Sequence, residues 1–359
     1  LGRFGYPTRQ RFQEVRHAPG LAKPRSFLGT LVAMVREPAA QAAGVEPLGD
    51  LVSCQRVGQA IDLICRNGVL RVEVLAADLI RLRLCRVPSP TPFSYALDPA
   101  TEWPPVPIEV EAATPTASGP ITIRTAQLTC HLEPSPLRLT ILDAEGRPLS
   151  EPLAGAGPQG LGFQGRGAFW TRQMAPGEAL YGLGENTFEL NLRGRALEMW
   201  NTDPETYGPG DDPINLCIPM VAGLREGRAY GLFFDNPGRT RFDLGQTQPD
   251  QLRYEAGTGE LCVYVFGGPT LPAVLERYTQ LTGRMALPAR WMLGYHQSRW
   301  SYYPEGQVRE LAAEFRRRRI PCDSLHLDIH YLDGYRIFTW AGARFPDPAG
   351  LAADRRRAG

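Results

Sequence analysis

Between Ser324 and Tyr331 the side chains alternate in kind, with Leu325, Leu327, Ile329 and Tyr331 at one parity and His326, Asp328 and His330 at the other. A strand written this way has one oily face and one ionisable face. A sheet face open to water would read the same. Helical patterns flank this strand, so both faces are expected to be covered, and a covered carboxylate needs a partner or a ligand. Asp328 is therefore the leading candidate for a ligand-facing group. His326 and His330 lack a third donor, so no metal is expected.

The second candidate is the loop Met199-Trp200-Asn201-Thr202-Asp203-Pro204, which continues through Tyr207-Gly208-Pro209-Gly210-Asp211-Asp212-Pro213. Indole and phenol rings stack on the C–H faces of a sugar, and carboxylates bond its hydroxyls, so this composition suits a carbohydrate. A Pro- and Gly-rich connection using Asp as a turn former fits equally. The carboxylates lack EF-hand spacing, which argues against calcium. Trp300, Tyr302 and Tyr303 either line a subsite or pack beside a helix. Gly182-Leu183-Gly184-Glu185-Asn186 begins like a phosphate loop, but no helical pattern follows, so its glycines read as turn residues.

The elements that must position these groups fall into two patterns. Short apolar and β-branched runs at 60–65, 69–74, 80–85, 121–132, 137–142, 230–234 and 261–266, separated by turn signals, predict an antiparallel β-sandwich over 48–284. Residues 1–47 read as an extension or linker. The apolar run 26–35 behind Lys23 and Arg25 superficially suggests a signal peptide, but Arg36 and Glu37 follow with no clean cleavage site. After Leu287-Pro288 the pattern becomes a strand over 292–297, a helix opened by Pro304 with Val308, Leu311 and Phe315 on one face, a stop at Ile320-Pro321, the strand 324–331 and a helical start at Leu351. Strand, helix, strand, helix opens a parallel α/β fold. An eight-stranded barrel takes roughly 250 residues, so 285–359 are expected to hold only its first two β/α units. Asp328 would then lie near the C-terminal end of strand two, where the active sites of such barrels collect. A chain that starts at Leu1 and stops inside a helical pattern reads as cut at both ends.

Composition narrows the function further. The formal net charge is +1, too small to draw nucleic acid or an anionic membrane to the whole surface. No apolar run approaches the roughly 18 residues of a membrane span. All but one of the 39 basic residues, Lys23, are arginines, and the cluster Arg316 to Arg319 reads as the solvated end of a helix. Seven scattered cysteines without a CxxC argue against a disulfide framework or a zinc site and point to a reducing compartment, the cytoplasm.

The run Leu327-Asp328-Ile329-His330-Tyr331-Leu332-Asp333-Gly334-Tyr335-Arg336-Ile337-Phe338-Thr339-Trp340, followed by Arg344-Phe345-Pro346-Asp347-Pro348, resembles the second-strand segment of glycoside hydrolase family 31, the α-glucosidases and their relatives. Gly182-Leu183-Gly184-Glu185, Trp200-Asn201-Thr202-Asp203, Tyr207-Gly208-Pro209-Gly210 and Phe233-Phe234-Asp235-Asn236 resemble signatures of its N-terminal domain, in the expected order. The resemblance runs from about Gly49 to the last residue. It implies a galactose-mutarotase-like β-sandwich followed by the start of a TIM (β/α)8 barrel, retaining hydrolysis of α-linked glucosides or xylosides, and no cofactor.

On the same resemblance, Asp328 matches the aspartate that holds outer sugar hydroxyls in the −1 subsite, Ile329 an apolar wall of that subsite, and Asp203 the aspartate lent by an N-domain loop. The family's α-xylosidases often carry Cys and an aromatic at positions 329 and 330, so Ile329 and His330 lean towards glucose, although many α-glucosidases have Asp where His330 stands. Retaining hydrolysis takes two carboxylates roughly 5 to 5.5 Å apart. In the family these lie on later barrel strands, so no catalytic residue is expected within the chain, which reads as an N-terminal piece, inactive as it stands. The alternatives are a freestanding carbohydrate-binding or structural β-sandwich and, within the family, an α-xylosidase or transglucosidase.

Overall fold

The structure, a computed structural model, describes residues 44–87, 94–112, 119–153 and 160–357. The run 26–35 lies outside them. The chain divides into two compact units, Leu1–Gly283 and Arg284–Gly359.

The first unit is built on an eight-stranded antiparallel sheet in the order Ala179–Gly182, Met220–Arg225, Arg228–Phe234, Leu261–Phe266, Leu79–Cys85, Gly68–Ala76, Ala60–Cys65, Leu51–Val57. Leu261–Phe266 is buried at every position. Its odd residues Leu261, Val263 and Val265 join the main core, while Cys262, Tyr264 and Phe266 meet Val274 and Leu281 of the helix Leu271–Thr282 on the other face. A strand covered on both sides reads as a continuous apolar run. The helix starts at Thr270, whose hydroxyl accepts from the Ala273 N–H at 3.3 Å, with Pro272 in the first turn.

The main core is closed by two further antiparallel sheets. One has five strands, in the order Pro148–Ser150, Leu137–Asp143, Leu128–Pro134, Ile121–Arg124, Glu109–Ala112. The other has six, in the order Val45–Pro47, Leu161–Gln164, Gly167–Gln173, Gln251–Ala256, Thr240–Leu244, Ala196–Met199. Leu137–Asp143 alternates buried and half-buried residues along its whole length, the signature of a strand with one face inward.

Two expectations change here. The run 121–132 is a hairpin and not a single strand, because the Thr125 hydroxyl accepts from the N–H groups of Gln127 and Leu128 and turns the chain between two apolar segments. Val45–Pro47, assigned to the extension, pair with Leu161–Gln164. Gly182 and Gly184 have φ of +112° and +85°, and a Cβ there would lie 2.3 Å from the Met220 carbonyl oxygen and 2.4 Å from that of Leu216. They are turn glycines that let backbones approach closely, as the missing phosphate-loop helix suggested.

In the second unit His296–Gln297 and Ser324–Leu325 pair in parallel, joined by the helix Glu305–Arg317. A second helix, Pro348–Arg357, follows. Tyr302, Val308, Phe345 and Leu351 form the core of this unit, with Leu311, Leu325, Leu327 and Tyr331 packed against it. Arg309 bonds Glu305 at 2.8 Å and Asp354 at 2.5 Å, tying the two helices together. Glu305–Arg317 ends with Arg319 in the left-handed region and the Ile320 N–H returning to the Phe315 carbonyl at 2.9 Å. Arg317 and Arg318 pair with Glu314 at this solvated end.

The strands of this unit are shorter than the pattern predicts. Arg290–Leu293 is a single 3-10 turn, so the strand expected over 292–297 shrinks to two residues. The strand expected over 324–331 ends after Leu325, with one more ladder bond from the His326 N–H to the Gln297 carbonyl at 3.0 Å. No helix among the described residues is long and apolar enough to cross a membrane.

Candidate functional site

Asp328 sits just beyond the second parallel strand with φ +62°. Asp is among the few residues that tolerate this left-handed conformation, and such outliers concentrate at functional sites. The reversal breaks the alternation. Leu327 and Tyr331 still pack inward, but Ile329 turns out and is 42% exposed. Among the described residues His326, Asp328 and Ile329 are exposed. The Asp328 carboxylate makes no hydrogen bond among the described residues.

An aromatic group surrounds the residue two positions on. His330 stacks on Tyr303 with centroids 4.8 Å apart and planes at 19°, meets Tyr335 edge-on at 5.8 Å and lies 5.9 Å from Trp300. Its Nδ1 shares a hydrogen bond of 2.5 Å with the buried Ser301 hydroxyl. The Arg344 guanidinium lies 5.4 Å from the Tyr303 ring and donates to the His330 carbonyl at 2.9 Å. Trp300 is 65% exposed among the described residues. The structure thus brings Asp328, Ile329, His330 and Trp300 to one end of the parallel pair. Ser301 and Tyr335 join them through contacts that no local sequence pattern announces.

Deeper on the same pair, the ring nitrogens of His296 and His326 lie 3.0 Å apart, with Trp291 stacked on His296. No group of three or more His, Cys, Asp or Glu that could hold a metal ion occurs among the described residues. Asp333 pairs with Arg336 in the following turn and is thereby engaged.

Asp203 belongs to the first unit. Its loop is tied down at Thr202, whose N–H donates to the Ile214 carbonyl and whose hydroxyl donates to that of Pro213, at 3.1 and 2.7 Å. The other aspartates of the loop have structural partners: Asp211 accepts from the Gly208 N–H at 2.8 Å and Asp212 from the Glu198 N–H at 2.6 Å. Burial pushes the Asp212 carboxyl above the usual aspartate value, outweighing that bond. Asp203 alone of the three is exposed with no internal partner among the described residues.

Residues 69–243 match the glycosyl hydrolase 31 N-terminal galactose mutarotase-like domain, and residues 285–359 the glycosyl hydrolases family 31 TIM-barrel domain. Alpha-glucosidase 2 of Bacillus thermoamyloliquefaciens is 36% identical over 315 residues, covering 87% of this chain and 39% of that protein. Alpha-xylosidase XylQ of Lactiplantibacillus pentosus is 33% identical over half of this chain and 23% of its own length. Among solved structures, a GH31 dextranase of Flavobacterium johnsoniae complexed with isomaltotriose superposes with a TM-score of 0.79 at 28% identity, over 88% of this chain and 38% of the dextranase. The chain therefore spans about two fifths of the Bacillus relative and of the dextranase. Its β-sandwich is the mutarotase-like domain, and its parallel pair with two helices is the start of the TIM barrel. Two domain matches in order, with relatives across most of its length, show that the chain belongs to glycoside hydrolase family 31.

Proposed function

We propose that this chain is the substrate-holding part of a retaining glycoside hydrolase acting on α-glucosides, with the sandwich over 48–284 and the first two β/α units of the catalytic barrel over 285–359. The observation that carries the reading is Asp328: an exposed carboxylate with no internal partner among the described residues, held in a left-handed turn just past the second barrel strand and two residues before His330, which meets Trp300 and Tyr303. An ionised carboxylate only accepts hydrogen bonds, which suits paired sugar hydroxyls, and the exposed indole suits the apolar face of a pyranose. We assign Ile329 to an apolar wall of the same subsite and Asp203 to a second hydroxyl contact from the N-domain loop.

Neither Asp328 nor Asp333 is assigned a reacting role. Both the nucleophile and the acid/base are expected from barrel strands outside these 359 residues. Ile329 favours a glucoside over a xyloside, and a freestanding sugar-binding sandwich would have no use for the parallel unit after Gly283. Seven scattered cysteines without a CxxC suit a reducing compartment, and we assign the cytoplasm.

The test is steady-state kinetics on maltose in a protein that carries this chain ahead of a complete barrel. Two bonds to a charged group, worth about 1.5–3 kcal/mol each, make Asp328→Asn cost about 10²-fold or more in kcat/KM. Asp203→Asn should cost less and act mainly on KM, because an exposed loop contact is partly solvated. Circular dichroism should be unchanged for both. Wild-type kcat/KM for Asp328→Asn would remove that residue from the site, and loss of the fold would make its role structural.

A further inference from the structure

Ser301 lies between the first barrel strand and the helix Glu305–Arg317, and it is only 5% exposed although its side chain is polar. A buried hydroxyl needs a partner. Ser301 Oγ has one among the described residues, Nδ1 of His330 at 2.5 Å. No ring carbon approaches an oxygen that closely, so a nitrogen must face the hydroxyl. Other contacts hold the ring in this orientation. It stacks on Tyr303 at 4.8 Å and meets Tyr335 edge-on at 5.8 Å, while Arg344 anchors the His330 carbonyl at 2.9 Å. Tyr303 is itself fixed, because its backbone N–H donates to the Gln307 side-chain oxygen at 3.1 Å in the first turn of the helix.

Two placements of the ring proton fit the short distance. In one, Nδ1–H donates to the serine oxygen, and the hydroxyl hydrogen then has no acceptor among the described residues. A buried donor left in this way carries its full desolvation cost. In the other, the hydroxyl donates to Nδ1 and the ring proton sits on Nε2. Both groups are then satisfied, and the second placement is favoured. Nε2 makes no hydrogen bond among the described residues, so its N–H stays available for a ligand.

A hydroxyl both donates and accepts, whereas an ionised carboxylate only accepts. An acceptor at Asp328 and a donor two residues on therefore suit a polyol better than the carboxylate alone. With the other tautomer, Nε2 would be a second acceptor on the same loop and would offer nothing to a hydroxyl oxygen. We infer that Ser301 is a positioning residue: it fixes His330 in the Nε2–H tautomer, so that the imidazole meets a substrate hydroxyl as a donor beside the acceptor Asp328. The role in substrate binding rests on the assignment of Asp328 above; the position of the ring proton does not.

The experiment joins spectroscopy to kinetics. In the whole 359-residue chain carrying isotope-labelled histidine, nitrogen NMR reads the protonation of each ring nitrogen, with His330→Phe identifying the His330 signals. A protonated Nε2 and a bare Nδ1 are expected in the wild type, a mixture of tautomers in Ser301→Ala, and the wild-type pattern again in Ser301→Thr, which keeps the hydroxyl. In a protein that carries this chain ahead of a complete barrel, Ser301→Ala should lower kcat/KM on maltose about three- to tenfold, the worth of one neutral hydrogen bond. Ser301→Thr should restore most of that loss. In a His330→Phe background Ser301→Ala should cost nothing further, because its effect passes through the imidazole. Circular dichroism selects variants that keep the fold. A ring proton on Nδ1 in the wild type, unchanged kcat/KM in Ser301→Ala, or its full cost persisting beside His330→Phe overturns the inference. Wild-type kcat/KM in Asp328→Asn with the Ser301 effects present would remove Asp328 alone from the site.

Discussion

Replacing Glu178 by Gln should unfold the first unit at a markedly lower temperature, and the size of the effect follows from its surroundings. Arg172, Glu178 and Tyr230 are 1%, 2% and 2% exposed and form a closed network between the sheets. Arg172 Nη2 donates to Glu178 Oε1 at 2.8 Å and also to the Tyr230 hydroxyl, which in turn donates to Glu178. The second Glu178 oxygen accepts from the Ala175 N–H at 2.8 Å. Burial alone would raise the Glu178 carboxyl, but Arg172, Tyr230 and Ala175 together hold it below the ordinary glutamate value.

An exposed ion pair is worth about 0–1 kcal/mol. A buried one that loses a partner strands the other charge and costs about 3–5 kcal/mol. With neither side chain reaching solvent, the second figure applies. At about 2–4 °C per kcal/mol for a large domain, Glu178→Gln should lower Tm by about 6–20 °C. The assay is thermal unfolding followed by circular dichroism. The triple change Arg172→Met, Glu178→Leu, Tyr230→Phe, which removes the charges together, should recover most of the loss. Because the folded carboxyl is depressed, its contribution is complete above the unfolded glutamate value of about 4.3 and disappears as pH falls through the folded value. The wild-type to Glu178→Gln difference should therefore narrow in acid. A Tm shift under about 2 °C at pH 7 would refute the reasoning.

Two further outcomes concern the first unit and its thiols. Gly182→Ala places a Cβ 2.3 Å from the Met220 oxygen at a φ of +112° and strains the neighbouring bond from Leu183 N–H to Met220 O, so urea unfolding should show a loss of about 2 kcal/mol or more; a loss under about 0.5 kcal/mol would contradict the tight turn. Burial pushes the thiols of Cys65, Cys130 and Cys262 up to about 12, so at pH 8 a disulfide-exchange reagent should titrate at most four of the seven cysteines in the folded chain and all seven after denaturation.

Much of the fold is legible because burial writes itself into the chain. Leu261–Phe266 is apolar at every position since both its faces are covered, and Ala60–Cys65 and Leu137–Asp143 show the patterns their sheet positions demand. The hairpin inside 121–132 was hidden because the Thr125 hydroxyl makes a turn without Gly or Pro, and the 292–297 strand failed because apolar residues also fill a 3-10 turn. Alternation over 324–331 predicted one strand, whereas only Ser324–Leu325 forms one. Period-2 patterning reports which side chains differ, not whether the backbone reverses at Asp328.

By itself, then, the sequence determined the antiparallel runs of the first unit, the change to a parallel α/β pattern after Leu287-Pro288, and the ordered motifs that mark the family, since these depend on residue type and local spacing. Tertiary structure alone decided which polar groups have partners. Among the described residues, Asp211 and Asp212 are engaged while Asp203 is open, and Asn236 is engaged through both its nitrogen and its oxygen while only one oxygen of Asp235 is bonded. Arg172 and Glu178 find Tyr230 across more than fifty residues, and His330 finds Ser301, Tyr303 and Tyr335 through the return of separate loops. The physical reason is that a hydrogen bond or ring contact depends on where two distant backbones come to lie, and no local pattern of residue types encodes that separation.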